Sequence, residues 1–409
     1  MEDPGASPNA APAAASRLSA EHPNPLRDHL RQAFFHPLQD RARALMFGGQ
    51  FLGSLGVSFL QVFVALDMLR FGVGGMTGYF LTRFALAGFV LFPALTWLYF
   101  NRARRWFFVA VFGTEFMALA PLFMPEILQE PLLVGACLAL ASTGYWQAFH
   151  LAMTAHTSDH GRGYEVSLSQ IFQTLGGIAG SLVGGAASAL HFGSGVALIG
   201  FGVQIAATFM FCRTIPRPQT DGAVPVAGQI QATCLRHEMF GNRQRTLLTL
   251  LDAVYGVMVD ILMPAWLKLI GVAAFSVGVV NALRTAIQIF AAPLTGKFYA
   301  ADQQAELRLG SALGLVGWLP WCFAPQTWIL LASIPLWSCG NILYRTGIEG
   351  RWYHNRSATA ILGKEILLTI ARMFSALFII PAMFWYPTGF AWLAVITAAA
   401  MLVGSYRRG

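Results

Sequence analysis

Apolar residues run along this chain in long blocks, with neither the three-to-four spacing of a surface helix nor the alternation of a half-buried strand. A helix that crosses a bilayer needs about 20 mostly apolar residues. Reading for such runs predicts twelve spans: 44–67, 77–100, 106–123, 132–155, 167–190 and 194–212, then 247–270, 275–298, 309–325, 326–346, 362–384 and 388–405. Most polar interruptions are short. The exception, 213–246, is polar and proline-containing, and it divides the chain. The expected organisation is therefore a tail (1–43), a first group of six spans (44–212), a central loop (213–246) and a second group of six (247–406). The Pro/Ala/Ser-rich start, residues 1–25, lacks the apolar core of a secretory signal and reads as disordered. Residues 26–43 carry Leu26, Leu30, Phe34 and Leu38 among basic residues and read as a helix lying on a membrane surface.

Composition agrees with the pattern: 56% of the 409 residues are hydrophobic and 11% are charged, against about 25% charged in ordinary soluble domains. The net charge of +8 could suggest nucleic acid, but most Lys and Arg residues fall in tails and in loops on one predicted side, where they act as topology signals. The positive-inside rule then predicts cytoplasmic termini, in a plasma membrane of the bacterial inner-membrane kind. Cys137, Cys212, Cys234, Cys322 and Cys339 show no CxxC spacing, so no disulfide framework or zinc site is expected.

The two groups of spans echo each other. "DRARAL" at 40–45 returns as "NRQRTL" at 242–247, and "LTRFAL" at 81–86 as "ALRTAI" at 282–287, so Arg83 matches Arg284. Pro93 matches Pro293, and Arg162 matches Arg356. Six spans repeated in the same orientation imply two bundles related by an axis along the membrane normal. With its central loop and six-plus-six repeat, the chain over about residues 40–406 resembles the major facilitator superfamily. "GSLVGG" at 180–185 is similar to the family's fifth-helix antiporter element, with Ser181 where proline is usual. "YFNRARRW" keeps the basic cluster of its second–third connection, and "GKFYAADQQAELR" keeps Gly296 and Asp302 of the eighth–ninth connection. "YWQAFHLAMTAHTSDHGRGYE" and "LGKEILLTIARMF" resemble stretches in poorly characterised prokaryotic branches of the superfamily. The resemblance implies an all-α membrane protein of twelve helices in two six-helix bundles, moving a small solute by alternating access.

The fifth span is rich in glycine. Gly176, Gly180 and Gly184 recur every four residues, with Gly177, Ser181 and Gly185 as a second stripe beside them. Residues four apart share a helix face, and in lipid such small residues let backbones approach closely. Static packing and a rocking contact between bundles are both open readings. At the mouth of this span, Arg162 follows the positive-inside rule and Glu165 suits the helix dipole.

Charges inside spans carry the chemistry, because one at the bilayer centre costs at least about 2.5–3.5 kcal/mol. Arg83 and Arg284 are candidate solute contacts for an anion, or else snorkel, or pair with Asp67 or Asp260. Arg372 is too central to snorkel, and Gln147, His150 and Gln288 complete the candidate solute site. Asp260 and Glu115 are candidate proton carriers, a structural ion pair being the alternative. "HTSDH" at 156–160 spaces two histidines four apart but lacks a third partner set, so no metal is expected. There is no GxxxxGK[ST], GxSxG or HExxH, so neither ATP drive nor an enzyme is expected, and no cofactor. The expected function is secondary transport of a small solute, anionic on the strength of the arginines, driven by its own gradient or by protons, leaning to export. A non-transporting receptor or assembly factor with the same fold is the alternative, and the lipid bilayer is the expected partner.

Overall fold

The structure, a computed structural model, describes residues 39–101, 104–156, 162–215, 236–237, 239–301, 303–323, 327–353 and 358–406. Most of the expected tail and central loop, and Asp159 and His160 of the histidine motif, lie outside the described residues. The described residues hold no strand. In the first half of the chain the helices are α1 (Arg41–Met68), α2 (Gly72–Ala85), α3 (Phe92–Asn101), α4 (Arg104–Met117), α5 (Pro131–His156), α6 (Arg162–Ala189) and α7 (Ala197–Thr214). In the second half they are α8 (Arg243–Gly256), α9 (Met263–Leu269), α10 (Ala274–Ala301), α11 (Gln303–Phe323), α12 (Thr327–Tyr353), α13 (Ala358–Trp385) and α14 (Pro387–Tyr406).

The sequence echo has a physical meaning at the two helix starts. Asp40 caps α1 by accepting from the Ala42 N–H at 2.9 Å, and Asn242 caps α8 by accepting from the Arg245 N–H at 2.9 Å. Each side chain satisfies one of the amides that a helix start leaves without a partner.

Eight helical stretches are long and apolar enough to cross a membrane, and the chain is a multi-pass membrane protein. One of them, Arg41–Tyr99, is 59 residues long and covers the first two expected spans. The expected fifth, ninth and tenth spans correspond to α6, α11 and α12, which are not among the eight. In α6 and α11 glycine, serine and polar side chains lower the hydropathy without shortening the helix.

Two widened turns interrupt otherwise straight helices. A π-helical segment, Leu86–Leu91, joins α2 to α3, and another, Val257–Leu262, joins α8 to α9. Each precedes a proline, Pro93 or Pro264. Proline donates no amide hydrogen bond and its ring clashes with the carbonyl four residues back. That carbonyl belongs to Phe89 in one case and Asp260 in the other, both inside the widened turns, which are frequent at functional sites.

Helix α6 runs between two partners. A methyl group on Gly176 would lie 2.1 Å from the Phe51 carbonyl oxygen, on Gly180 2.2 Å from that of Leu55, and on Gly184 2.8 Å from that of Phe59. The first stripe therefore lies backbone to backbone on α1. The second turns to α10: Gly185 meets the Gly278 Cα at 2.8 Å from such a methyl, and the Asn281 amide donates to Ser181 Oγ at 2.6 Å. Because backbone cannot move aside as a side chain can, Gly180→Ala is expected to lower the stability of the purified protein by about 1–3 kcal/mol. Gly113→Ala in α4 serves as the control, since nothing lies within 4 Å of a methyl there. Equal melting temperatures for the two variants would remove the contact from the account.

At the other end of the second half, Trp266, Trp318, Trp321 and Trp337 form a buried cluster with Phe390. Neighbouring rings are 5.0 Å (Trp266–Trp321) and 5.3 Å (Trp318–Trp321 and Trp318–Trp337) apart. Trp266 donates to the Pro387 carbonyl, Trp318 to the Tyr255 hydroxyl and Trp321 to Ser333.

Candidate functional site

Between the two halves lies a cavity of about 1270 Å³, including its open mouth. The second half supplies most of its charge. On α8 and the widened turn after it, Asp252, Gly256 and Asp260 follow one another at four-residue intervals and all face the cavity. On α12, Arg345 and Glu349 are one turn apart; on α13, Lys364, Glu365 and Arg372 project inward, and α10 adds Arg284 and Gln288. The first half contributes two ionisable groups, Arg83 from α2 and His150 from α5.

Asp260 is the hub. Its carboxylate accepts from Arg284 at 2.9 Å and from Arg345. Arg284 also donates to the Val259 carbonyl at 2.7 Å, so one guanidinium fastens α10 to the widened turn through both backbone and side chain. A second network crosses between the halves. His150 Nε2 lies 3.0 Å from Glu365, which also faces Lys364 at 3.4 Å. Gln170 of α6 donates to Glu349 at 3.2 Å, and Lys364 is 3.9 Å from that same carboxylate. Both crossings lie toward the end where α1 begins and α14 finishes. At the opposite end the halves meet through Gly185 and Gly278.

Two cations stand apart from these pairs. Among the described residues Arg372 has no ion pair and no hydrogen bond, and its Nε is buried without a partner. Arg83, 8% exposed, donates to the Tyr79 hydroxyl at 3.4 Å and lies over the Phe84 ring, with no carboxylate in reach among the described residues. Asp67, one of the partners considered for it, pairs with Arg70 at 3.3 Å instead. Asp252 has no ion pair among the described residues, and one of its oxygens is buried without a hydrogen bond. The lining thus holds five Lys and Arg residues against four carboxylates.

Of the residues singled out in the sequence, Arg83, His150, Asp260, Arg284, Gln288 and Arg372 converge on this cavity. Two others do not. Gln147 turns away and donates to Thr96 Oγ1 at 3.0 Å. Glu115 is fully buried beside Gly144, between α4 and α5, and does not line the cavity. His156 of the histidine motif contacts the Thr214 carbonyl at 2.5 Å. Arg345, Lys364 and Glu365 fall at the ends of the expected spans 326–346 and 362–384 and Glu349 just beyond the first, and none of the four stood out as a candidate site residue. The structure instead carries α12 on to Tyr353 and starts α13 at Ala358, which puts all four inside helices. A usable signal existed: Lys364 and Glu365 interrupt the apolar run "AILGKEILL", and Arg345 and Glu349 are spaced to share a face.

Long apolar helices packed around a charged central cavity are also the architecture of several solved membrane transporters. Solved structures with this architecture include the human organic anion transporter MFSD10, with a TM-score of 0.62 and 13% identity over 90% of this chain and 99% of that one. A bacterial homologue of the iron transporter ferroportin, in an outward-facing state, gives a TM-score of 0.65 and 15% identity over 90% and 98% of the two chains. A variant of the E. coli fucose:proton symporter FucP gives 0.59 and 14% over 88% and 97%. At these identities the likeness shows the fold. No family model and no curated protein matches the chain by sequence.

Proposed function

We propose that this protein is a secondary transporter of twelve spans in two six-helix bundles, over 44–212 and 247–406, joined by the loop 213–246. It carries a small organic anion through the central cavity by alternating access. The observation that carries this reading is Arg372, a half-buried cation whose Nε is buried without a partner and which has neither an ion pair nor a hydrogen bond among the described residues, on a cavity bounded by both halves. An unpaired charge inside a membrane protein is costly and marks a solute or ion path. Arg83 faces the same space from the first half, and a solute touching both would be held across the boundary that must rock. His150, Arg284 and Gln288 are the further proposed contacts. Proton coupling is assigned to Asp260, whose carboxylate can take a proton only once Arg284 and Arg345 let go of it; Glu115 is off the cavity and is left out of the path. The likeness of "GSLVGG" to an antiporter element supports export, and the placement of Lys and Arg supports cytoplasmic termini in a bacterial inner membrane.

The test is accumulation of labelled organic anions in proteoliposomes, with and without a pH gradient. Wild-type protein is expected to accumulate at least one anion, and Arg372→Gln to reduce this to background with its melting temperature kept. Equal accumulation by Arg372→Gln, or transport confined to neutral solutes, would overturn the reading. In intact cells, cysteines introduced as Asp3→Cys, Ile230→Cys and Gly409→Cys are expected to escape a membrane-impermeant thiol reagent; labelling of any of them would refute the orientation.

A further inference from the structure

The first half faces the cavity with a different chemistry from the second. On α1, Ser54, Ser58 and Gln61 are spaced four and three apart and share one face. On α6, Gln170, Gln173 and Thr174 also share a face, the last two lying three and four residues after the first. All six carry an uncharged hydroxyl or amide. Gln170 is occupied by Glu349. Ser58, Gln61, Gln173 and Thr174, and Gln288 across the cavity, have no hydrogen-bond partner among the described residues. Trp146 is only partly buried and lines the cavity beside His150, with the two rings stacked at 5.8 Å.

Most small-molecule sites are largely apolar, with a few placed polar groups. Here the proportion is reversed. A solute that displaces the water from these side chains must itself supply donors and acceptors on several sides, because a polar group left unmade in a closed site is expensive. An alkyl carboxylate would satisfy Arg372 and strand the amides. A neutral sugar would satisfy the amides and strand Arg372. We infer that the solute is a polyhydroxylated organic anion of the monosaccharide-acid class, its acidic group at Arg372 and Arg83, its hydroxyls along α1 and α6, and one ring face against Trp146.

This inference rests on the transporter reading, and the two can fail separately. Binding of three probes to the purified full chain is compared: glucuronate, with both charge and hydroxyls; hexanoate, with charge alone; and glucose, with hydroxyls alone. A site built to hydrogen-bond a hydroxyl rejects analogues that lack it by large factors. Glucuronate is expected to bind ~100-fold or more tightly than hexanoate and to raise the melting temperature. Gln61→Leu and Thr174→Val are expected to erase that preference, and Gln61→Asn to keep part of it, with all three melting as wild type when no solute is present. Equal binding of hexanoate and glucuronate would overturn the hydroxyl half of the inference; equal binding of glucose and glucuronate would overturn the anion half. Transport of some other organic anion with no binding of glucuronate would sink the inference and leave the transporter standing.

Discussion

Asp260→Asn is expected to cost about 3–5 kcal/mol of stability, the usual size of the loss when one member of a buried ion pair is removed. The reason is geometric. Asp260 is the one carboxylate that forms ion pairs with both Arg284 and Arg345 among the described residues, and its side chain is only 14% exposed, so the amide would leave two neighbouring guanidiniums without their shared counter-charge. The double variant Asp260→Asn with Arg284→Gln removes one of the stranded charges and is expected to recover part of the loss. Melting curves of the single and double variants decide this. A single variant as stable as wild type would mean the carboxylate does not anchor the arginines. For the coupling role, the readout is accumulation under a pH gradient: Asp260→Asn is expected to lose gradient-driven accumulation while still exchanging solute. Gradient dependence like that of wild type would remove Asp260 from the proton path.

The second large effect is expected at Gly185. A side chain there meets Gly278 Cα at 2.8 Å and the Phe275 carbonyl at 3.3 Å, so Gly185→Leu must push α6 and α10 apart at the end away from His150 and Glu365. The expected result is a protein that folds with a loss of about 1–3 kcal/mol yet no longer cycles, its cavity held open at the Gly185 end. A cysteine introduced as Gln288→Cys would then react with an impermeant thiol reagent added on that side faster than in the Gly185 background. Unchanged labelling together with unchanged transport would show that the glycine pair is mere packing. Gly113→Leu, in open space, is the control.

How much of this was legible in the sequence depends on what each residue had to reveal. Long apolar runs betray spans without any knowledge of packing, which is why α1, α5 and α14 appear where expected. The glycine stripes of α6 revealed that close contacts exist, because nothing but backbone proximity rewards such spacing in a membrane; they did not reveal the partners, α1 on one side and α10 on the other. Arg83, Arg284 and Arg372 stood out as charges in apolar surroundings. Whether each was paired was invisible, since the partners come from distant helices: Arg284 is claimed by Asp260 while Arg372 is left free of ion pairs among the described residues. Gln147 and Glu115 show what position along the chain leaves open. Both are polar groups at membrane depth, but helix rotation aims one at Thr96 and walls the other in beside Gly144. The charges of α12 and α13 did not stand out because Arg345, Lys364 and Glu365 sit at span ends, where a charge reads as a topology signal, while only the packing of the helices shows that they line the cavity.

The aromatic cluster makes the molecule optically lopsided. Four of its 11 tryptophans are packed in one half at ring separations near 5 Å, close enough for their excited states to mix and dominate the near-ultraviolet circular dichroism. That signal will therefore follow the integrity of the second half and stay silent while a solute comes and goes. Trp146, alone among the tryptophans in lining the cavity, is the natural lamp for occupancy, so dichroism and quenching of Trp146 emission would follow two different events in one sample.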